Sequence, residues 1–169
     1  STYQINSQTK YIANSVFPSC ERLTQITIPD SVISIGSHTF SSCYPLTSIV
    51  IPDSVTSIGY EAFYDCESLT KVNYTGTIDQ WAQIDFVSSG SNPLYYANTL
   101  HINNELVTEV VLTTATKISN YAFYDCDSLK SVTIGNSVTS IGSHTFFSCN
   151  SLTSVTIPDS VTSIGDYAF

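Results

Sequence analysis

Apolar residues in this chain recur neither at helical spacing nor in long alternating runs. Seven apolar positions return instead in a fixed order every 23 residues, and self-similarity at such a period outranks any local signal. The unit reads I-P-D-S-V-T-S-I-G-x-x-A-F-x-x-C-x-S-L-T-S-V-T. Ile-Pro-Asp-Ser starts at Ile28, Ile51 and Ile157, with Ile134-Gly135-Asn136-Ser137 as a looser copy. Aligned on the period, units begin at Ile5, Ile28, Ile51, Val111, Ile134 and Ile157. Phe17, Phe40, Phe63, Phe123, Phe146 and Phe169 then share one column, and all five cysteines, Cys20, Cys43, Cys66, Cys126 and Cys149, share another. Leu and Val or Ile columns follow, as at Leu69 and Val72.

The end of each unit, L-x-x-V-x-I, alternates over its last steps and predicts a short strand with Ser and Thr outward. V-x-x-I-G predicts a second short extended segment, and A-F-x-x-C one helical turn. Pro29, Pro52 and Pro158 follow the strand, where a missing N–H closes the ladder. Gly36, Gly59, Gly142 and Gly165 suggest a tight turn, although Ala13 and Ser119 share their column, so a positive φ is not demanded there. One unit has too little core to offset the entropy of ordering it, so the units must stack. The expected fold is a right-handed, curved solenoid with one parallel strand per unit on its concave face.

Residues 74–110 break the period and read as an elaborated unit. Thr77 to Ile84 looks like a short amphipathic helix with Asp79 as its N-cap, Ser88 to Pro93 like a loop, and Leu100 to Val107 like a hairpin. Trp81 and Phe86 are expected to plug the core where the Phe and Cys columns lapse. The whole of residues 1–169 forms one repeat domain. With no Met and no recognisable leader, it is expected to be a piece of a longer protein. End-to-end self-association is expected through its open rungs.

Composition narrows the partners. Five Lys and Arg stand against 14 Asp and Glu, for a net charge of −9, so no basic field exists to collect phosphates or anionic lipid. No stretch is apolar enough to insert into a membrane. The 27 Ser and 21 Thr take the place of a charged surface, which suits strands.

These columns resemble the BspA-like leucine-rich repeats, a class built on I-P-x-x-V-x-x-I-G-x-x-A-F-x-x-C-x-x-L-x-x-V. The likeness covers nearly the whole chain. It extends to W-x-x-I-x-F followed by N-P-L-x-x-A, here Trp81, Ile84, Phe86 and Asn92 to Ala97. The resemblance implies a leucine-rich repeat solenoid, a cell-surface or secreted location, and adhesion to proteins or other cells. It implies no catalytic residue, cofactor or metal.

Each sharper chemistry has a plainer competitor. Cysteines on adjacent rungs lie within disulfide reach, but parallel side chains keep their Cβ atoms too far apart, and five is odd; buried free thiols are expected. His38 and His144 each sit five residues before a Cys, a spacing that matches no zinc motif. Asp30, Asp53 and Asp159 form an interrupted ladder that reads as solvated turns rather than a calcium site. Asn73-Tyr74-Thr75 fits a glycosylation sequon.

Surface aromatics at Tyr44, Tyr60, Tyr64, Tyr121, Tyr124, Phe147 and Tyr167 flank the core columns. The candidate partner-binding residues are Tyr95, Tyr96, Tyr64, Tyr124 and His101, gathered on or beside the irregular unit, where loops can shape a surface. The leading expectation is a non-catalytic module that binds a protein or glycan on a host or neighbouring cell. The alternative is a spacer presenting other domains with no ligand of its own, since residues such as Thr47, Ser48, Thr153 and Ser154 are bland.

Overall fold

The computed structural model describes residues 2–169 and is a β-solenoid of about seven turns. On one face, strands Thr2–Gln4, Gln25–Thr27, Ser48–Ile51, Lys71–Tyr74 and Leu100–Ile102 pair in parallel, and Glu105–Leu106 closes that sheet antiparallel. A separate parallel sheet carries Glu109–Val111, Ser131–Thr133 and Ser154–Thr156. The second face repeats the split, with Tyr11–Ile12, Ser34–Ile35, Ser57–Ile58 and Asp85–Phe86 in one sheet and Lys117–Ile118, Ser140–Ile141 and Ser163–Ile164 in the other. Both faces therefore break at the same place, after the irregular unit.

Stacking assigns each column its residue. Phe40 and Phe63 stack with centroids 5.3 Å apart, as do Phe123 and Phe146, and all four are buried. Hydroxyls run the same way: Thr70 Oγ1 donates to the Thr47 carbonyl of the rung before, and Thr139 to that of Thr116. Much of the Ser and Thr excess thus hydrogen-bonds between rungs.

Two local expectations change. The A-F-x-x-C stretch is not a helical turn; it is a pair of tight turns in which His38, Ser42, Glu61, Asp65, Tyr121, Asp125, His144 and Ser148 have positive φ. No glycine does. The glycines serve close approach instead: a Cβ on Gly36, Gly59, Gly142 or Gly165 would lie 2.4–2.6 Å from the backbone of the preceding rung. Ser119 shares this column and keeps a side chain although it is buried: its N–H donates to the Ala82 carbonyl at 2.8 Å and its hydroxyl to Asp85, so the irregular unit behind it leaves the room for a Cβ that a regular rung does not.

The irregular unit keeps the coil and lengthens it. Tyr74 pairs with Ile51 and Phe86 with Ile58, so a five-residue surplus lies between them and holds the helix Ile78–Trp81. Leu94, fully buried, follows Cys66 by the same 28 residues that separate Val72 from its partner Leu100, and so fills the Cys column. Trp81 and Phe86 plug the core, as expected, and Trp81 Nε1 donates to the Ala122 carbonyl at 2.8 Å.

Thr77, not Asp79, caps the helix, in a capping box with Gln80. Asp79 lies in the first turn and reaches the next rung. Its Oδ1 accepts the backbone N–H groups of Thr113, Thr114 and Ala115 at 2.7–2.9 Å, and its Oδ2 accepts from the Thr113 hydroxyl. That turn is one residue short. Val110 pairs with Val132 whereas Ile118 pairs with Ile141, so Leu112, buried, takes the column expected for Val111, which is exposed. For the Ala115 N–H, Asp79 stands in for the Pro29 or Pro52 carbonyl that accepts from Val32 or Val55 in a full Pro-Asp-Ser turn.

Two outcomes are expected. Gly59→Ala should lower stability by about 1–3 kcal/mol, while Ser119→Gly, which introduces no clash and keeps the N–H bond to Ala82, should cost only about 1 kcal/mol, both read by urea unfolding. Burial alone would raise the Asp79 pKa, but the bonds from Ala115, Thr114 and Thr113 outweigh it and hold it below the usual carboxylate value. A lowered folded-state pKa adds stability that is present above the ordinary Asp value and lost as pH falls through the depressed one. Asp79→Ala should therefore cost about 3 kcal/mol near neutrality, and the difference from wild type should shrink in acid.

Candidate binding surface

The chain carries one continuous aromatic surface, and the tight turns build it. Left-handed backbone at Tyr121, His144 and Tyr167 repeats at one column, held by N–H bonds to the following rung such as Tyr121 to Ser143 and His144 to Asp166. Each such residue costs about 1–2 kcal/mol of backbone strain without glycine. The inter-rung N–H bonds offset it, since the same backbone recurs at Ser15, Ser42 and Asp125, which carry no ring but make the same bonds, and ring stacking adds to this at the aromatic positions. The Tyr121 and His144 rings lie 5.2 Å apart and nearly parallel, and His144 meets Tyr167 at 5.1 Å. The neighbouring column adds Tyr124 stacked on Phe147 at 5.4 Å.

The irregular unit joins this surface through its second short helix, Leu94–Ala97. Leu94 points into the core, so the next residue turns outward. Tyr95 is 37% exposed and stacks on Tyr124 at 5.9 Å. Tyr96 meets Tyr95 edge-on at 4.8 Å but is half-buried, and its hydroxyl accepts the Asp65 N–H at 3.0 Å. Burial first, and then the nearby Asp65 charge, push the Tyr96 phenol up to about 12. Tyr96 latches the irregular unit to the preceding one.

Three of the five candidates, Tyr95, Tyr96 and Tyr124, thus fall together. Tyr64, 43% exposed, lies near Tyr96, beside the Asp65 that the Tyr96 hydroxyl binds. His101 does not join them; it lies on the strand Leu100–Ile102 between Asn73 and Leu106. The sequence alone places Tyr121, Tyr124, Phe147 and Tyr167 on the surface without joining them to the irregular unit; Tyr167 is exposed, whereas Tyr121, Tyr124 and Phe147 are half-buried because each packs between neighbouring rings. The shared column of Tyr121, His144 and Tyr167 was the available signal.

The other chemistry resolves toward structure. All five cysteines are free, and four are buried. Sγ of Cys43, Cys66 and Cys149 donates to the carbonyl of Phe17, Phe40 and Phe123 at 3.1–3.2 Å. Burial pushes the Cys43 thiol up to about 11 and those of Cys66 and Cys149 up to about 12. Asn73 of the sequon is buried, with its side chain held by the Asn104 N–H at 2.6 Å. Among the described residues, no three His, Cys, Asp or Glu side chains converge as a metal site, and no helix is long and apolar enough to cross a membrane.

A coil of short parallel strands, with Leu, Phe and Cys columns inside, defines a leucine-rich repeat solenoid. The chain belongs to the BspA type leucine rich repeat region, whose family model matches six copies over residues 1–106 and 96–169. It is similar to a T. pallidum leucine rich repeat protein, TpLRR, at 26% identity with TM-score 0.62, over 97% of this chain and 72% of that one. It is also similar to a leucine rich cell surface protein from Faecalibacterium prausnitzii at 29% identity with TM-score 0.46, over 99% of this chain but 38% of the other. No curated protein matches the chain.

Thiol labelling checks the core assignment. In the native protein Cys20, only partly buried, should react rapidly, while the other four wait for unfolding; rapid modification of all five would overturn the buried ladder.

Proposed function

We propose that this chain is a non-catalytic recognition module of an extracellular or cell-surface protein, binding a partner through its aromatic surface. The carrying observation is the continuous run Tyr95–Tyr124–Phe147 beside Tyr121–His144–Tyr167. Large rigid rings give contact area at low entropic cost, and Tyr is enriched in protein interfaces. The family resemblance to surface adhesion proteins supports the location. Of protein and glycan ligands, the packing favours protein: Tyr124, at the centre of the run, is stacked by Tyr95 and by Phe147 at interplanar angles of 18° and 12°, which leaves that ring no free face for a sugar.

The spacer reading keeps one observation in its favour, the bland exposed strand residues Thr133, Ser154 and Thr156. Binding of host matrix proteins and cell-wall glycans to immobilised protein separates the two. Wild type should bind a protein ligand, and Tyr95→Ala and Tyr124→Ala should each weaken it about tenfold or more, in line with interface hot spots of about 2 kcal/mol. His101→Ala should change little. Circular dichroism establishes that each variant is folded. If wild type binds none of the ligands, the spacer reading stands.

A further inference from the structure

The break in the first-face sheet leaves a second, separate feature. At the hairpin turn Asn103 and Asn104 both have positive φ, and Glu105 then pairs with Ile102 while the Val107 N–H donates to the Leu100 carbonyl. Alternation along an antiparallel strand therefore turns the Leu106 N–H and C=O away from that sheet. On the next rung, the Leu112 N–H donates to the Thr133 carbonyl and the Lys130 N–H to that of Thr108. The same alternation turns the backbone groups of Glu109 and Val111 away from Ser131–Thr133. The two strands end separate sheets and are not hydrogen-bonded to each other.

Between them lies a cleft of about 510 Å³, bordered by the start of the first helix at Ile78 and lined in part by Ile102, Leu106 and Val107. Leu106 is 47% exposed. Glu105 and Glu109 line it too. Both are exposed, and among the described residues neither takes part in an ion pair.

We propose that this cleft captures an extended, basic segment of a partner protein by strand addition. Unpaired backbone donors and acceptors along strand edges recognise extended polypeptide and no other common ligand. The apolar lining receives alternate side chains of such a strand, and the two glutamates select Lys or Arg at the intervening, outward positions. A second copy of this chain is a poor occupant, because its five Lys and Arg against 14 Asp and Glu repel an acidic rim. The cleft shares no residue with the aromatic surface, so the two readings stand or fall separately.

The probe is the peptide acetyl-Lys-Val-Lys-Val-Lys-Val-Lys-amide, titrated into the whole chain at low salt and followed by amide NMR. Leu106, Glu109 and Val111 amides should shift and gain protection from hydrogen exchange. N-methylation of alternate peptide amides should weaken binding at least tenfold, as should the double variant Glu105→Lys/Glu109→Lys, which changes only exposed side chains. Tyr95→Ala should bind the peptide like wild type. The proposal fails if those amides are unmoved, if N-methylated or Glu-for-Lys peptides bind equally well, or if the amides become protected without peptide as protein concentration rises, which would assign the edge to a second copy.

Discussion

The spacing of neighbouring turns, about 4.8 Å wherever strands pair, governs this molecule. Anything that enlarges it at one column breaks bonds at every other. That is why glycine stands where a Cβ would meet the backbone behind it, and why Thr hydroxyls find a carbonyl one rung back. The Phe rings follow the same spacing, offset-stacked with centroids 5.3–5.5 Å apart. A residue in such a stack is chosen less by its own unit than by the unit before it.

The irregular unit is where this constraint loosens. Five extra residues on one side and a hairpin on the other interrupt both faces, and the two halves stay joined without strand ladders, by two backbone bonds, Ser119 N–H to Ala82 and Asp127 N–H to Asn98, and by side chains: Asp79 to three N–H groups, Trp81 to Ala122, and the Asn92 amide to the Tyr121 carbonyl at 2.7 Å. Loss of regular pairing also exposes what regular rungs conceal. The second helix can turn Tyr95 outward, and the hairpin can leave a strand edge open. Departure from repetition and capacity for recognition have one origin here.

The columns were legible because each is repeated five or six times, and a repeated apolar position has few explanations. The stack and the burial of the Phe, Cys and Leu columns in the inner turns followed from that, while at the two ends Phe17, Cys20 and Leu152 are only partly buried and Phe169 is exposed; the hairpin and the plugging by Trp81 were legible from the irregular segment itself. What stayed hidden depended on contacts across turns. Nothing local distinguishes Asp79 as an N-cap from Asp79 as an acceptor for N–H groups more than 30 residues away. The slip from Val111 to Leu112 joins two apolar neighbours, so the pattern alone admits either. The A-F-x-x-C turns mislead because bulky residues rarely take left-handed backbone; stacking between rungs supplies what the single unit lacks. The aromatic surface was half visible, as a list of rings without their adjacency.

The thiols show how far stacking controls chemistry. Cys43 and Cys66 occupy neighbouring rungs, close enough in backbone for a disulfide to be considered, yet each sulfur turns instead to a Phe carbonyl 26 residues earlier. Burial that raises a thiol pKa suppresses the thiolate, the form that oxidises and exchanges. A Cys column can then persist even in an oxidising setting without cross-linking. Serine would reach the same carbonyl with a shorter bond to its oxygen and greater cost on burial, while alanine would leave a void beneath stacked Phe rings. Cysteine at this column fills volume and, at Cys43, Cys66 and Cys149, donates one weak bond to the rung before, which fits a role in the spacing and not in reactivity.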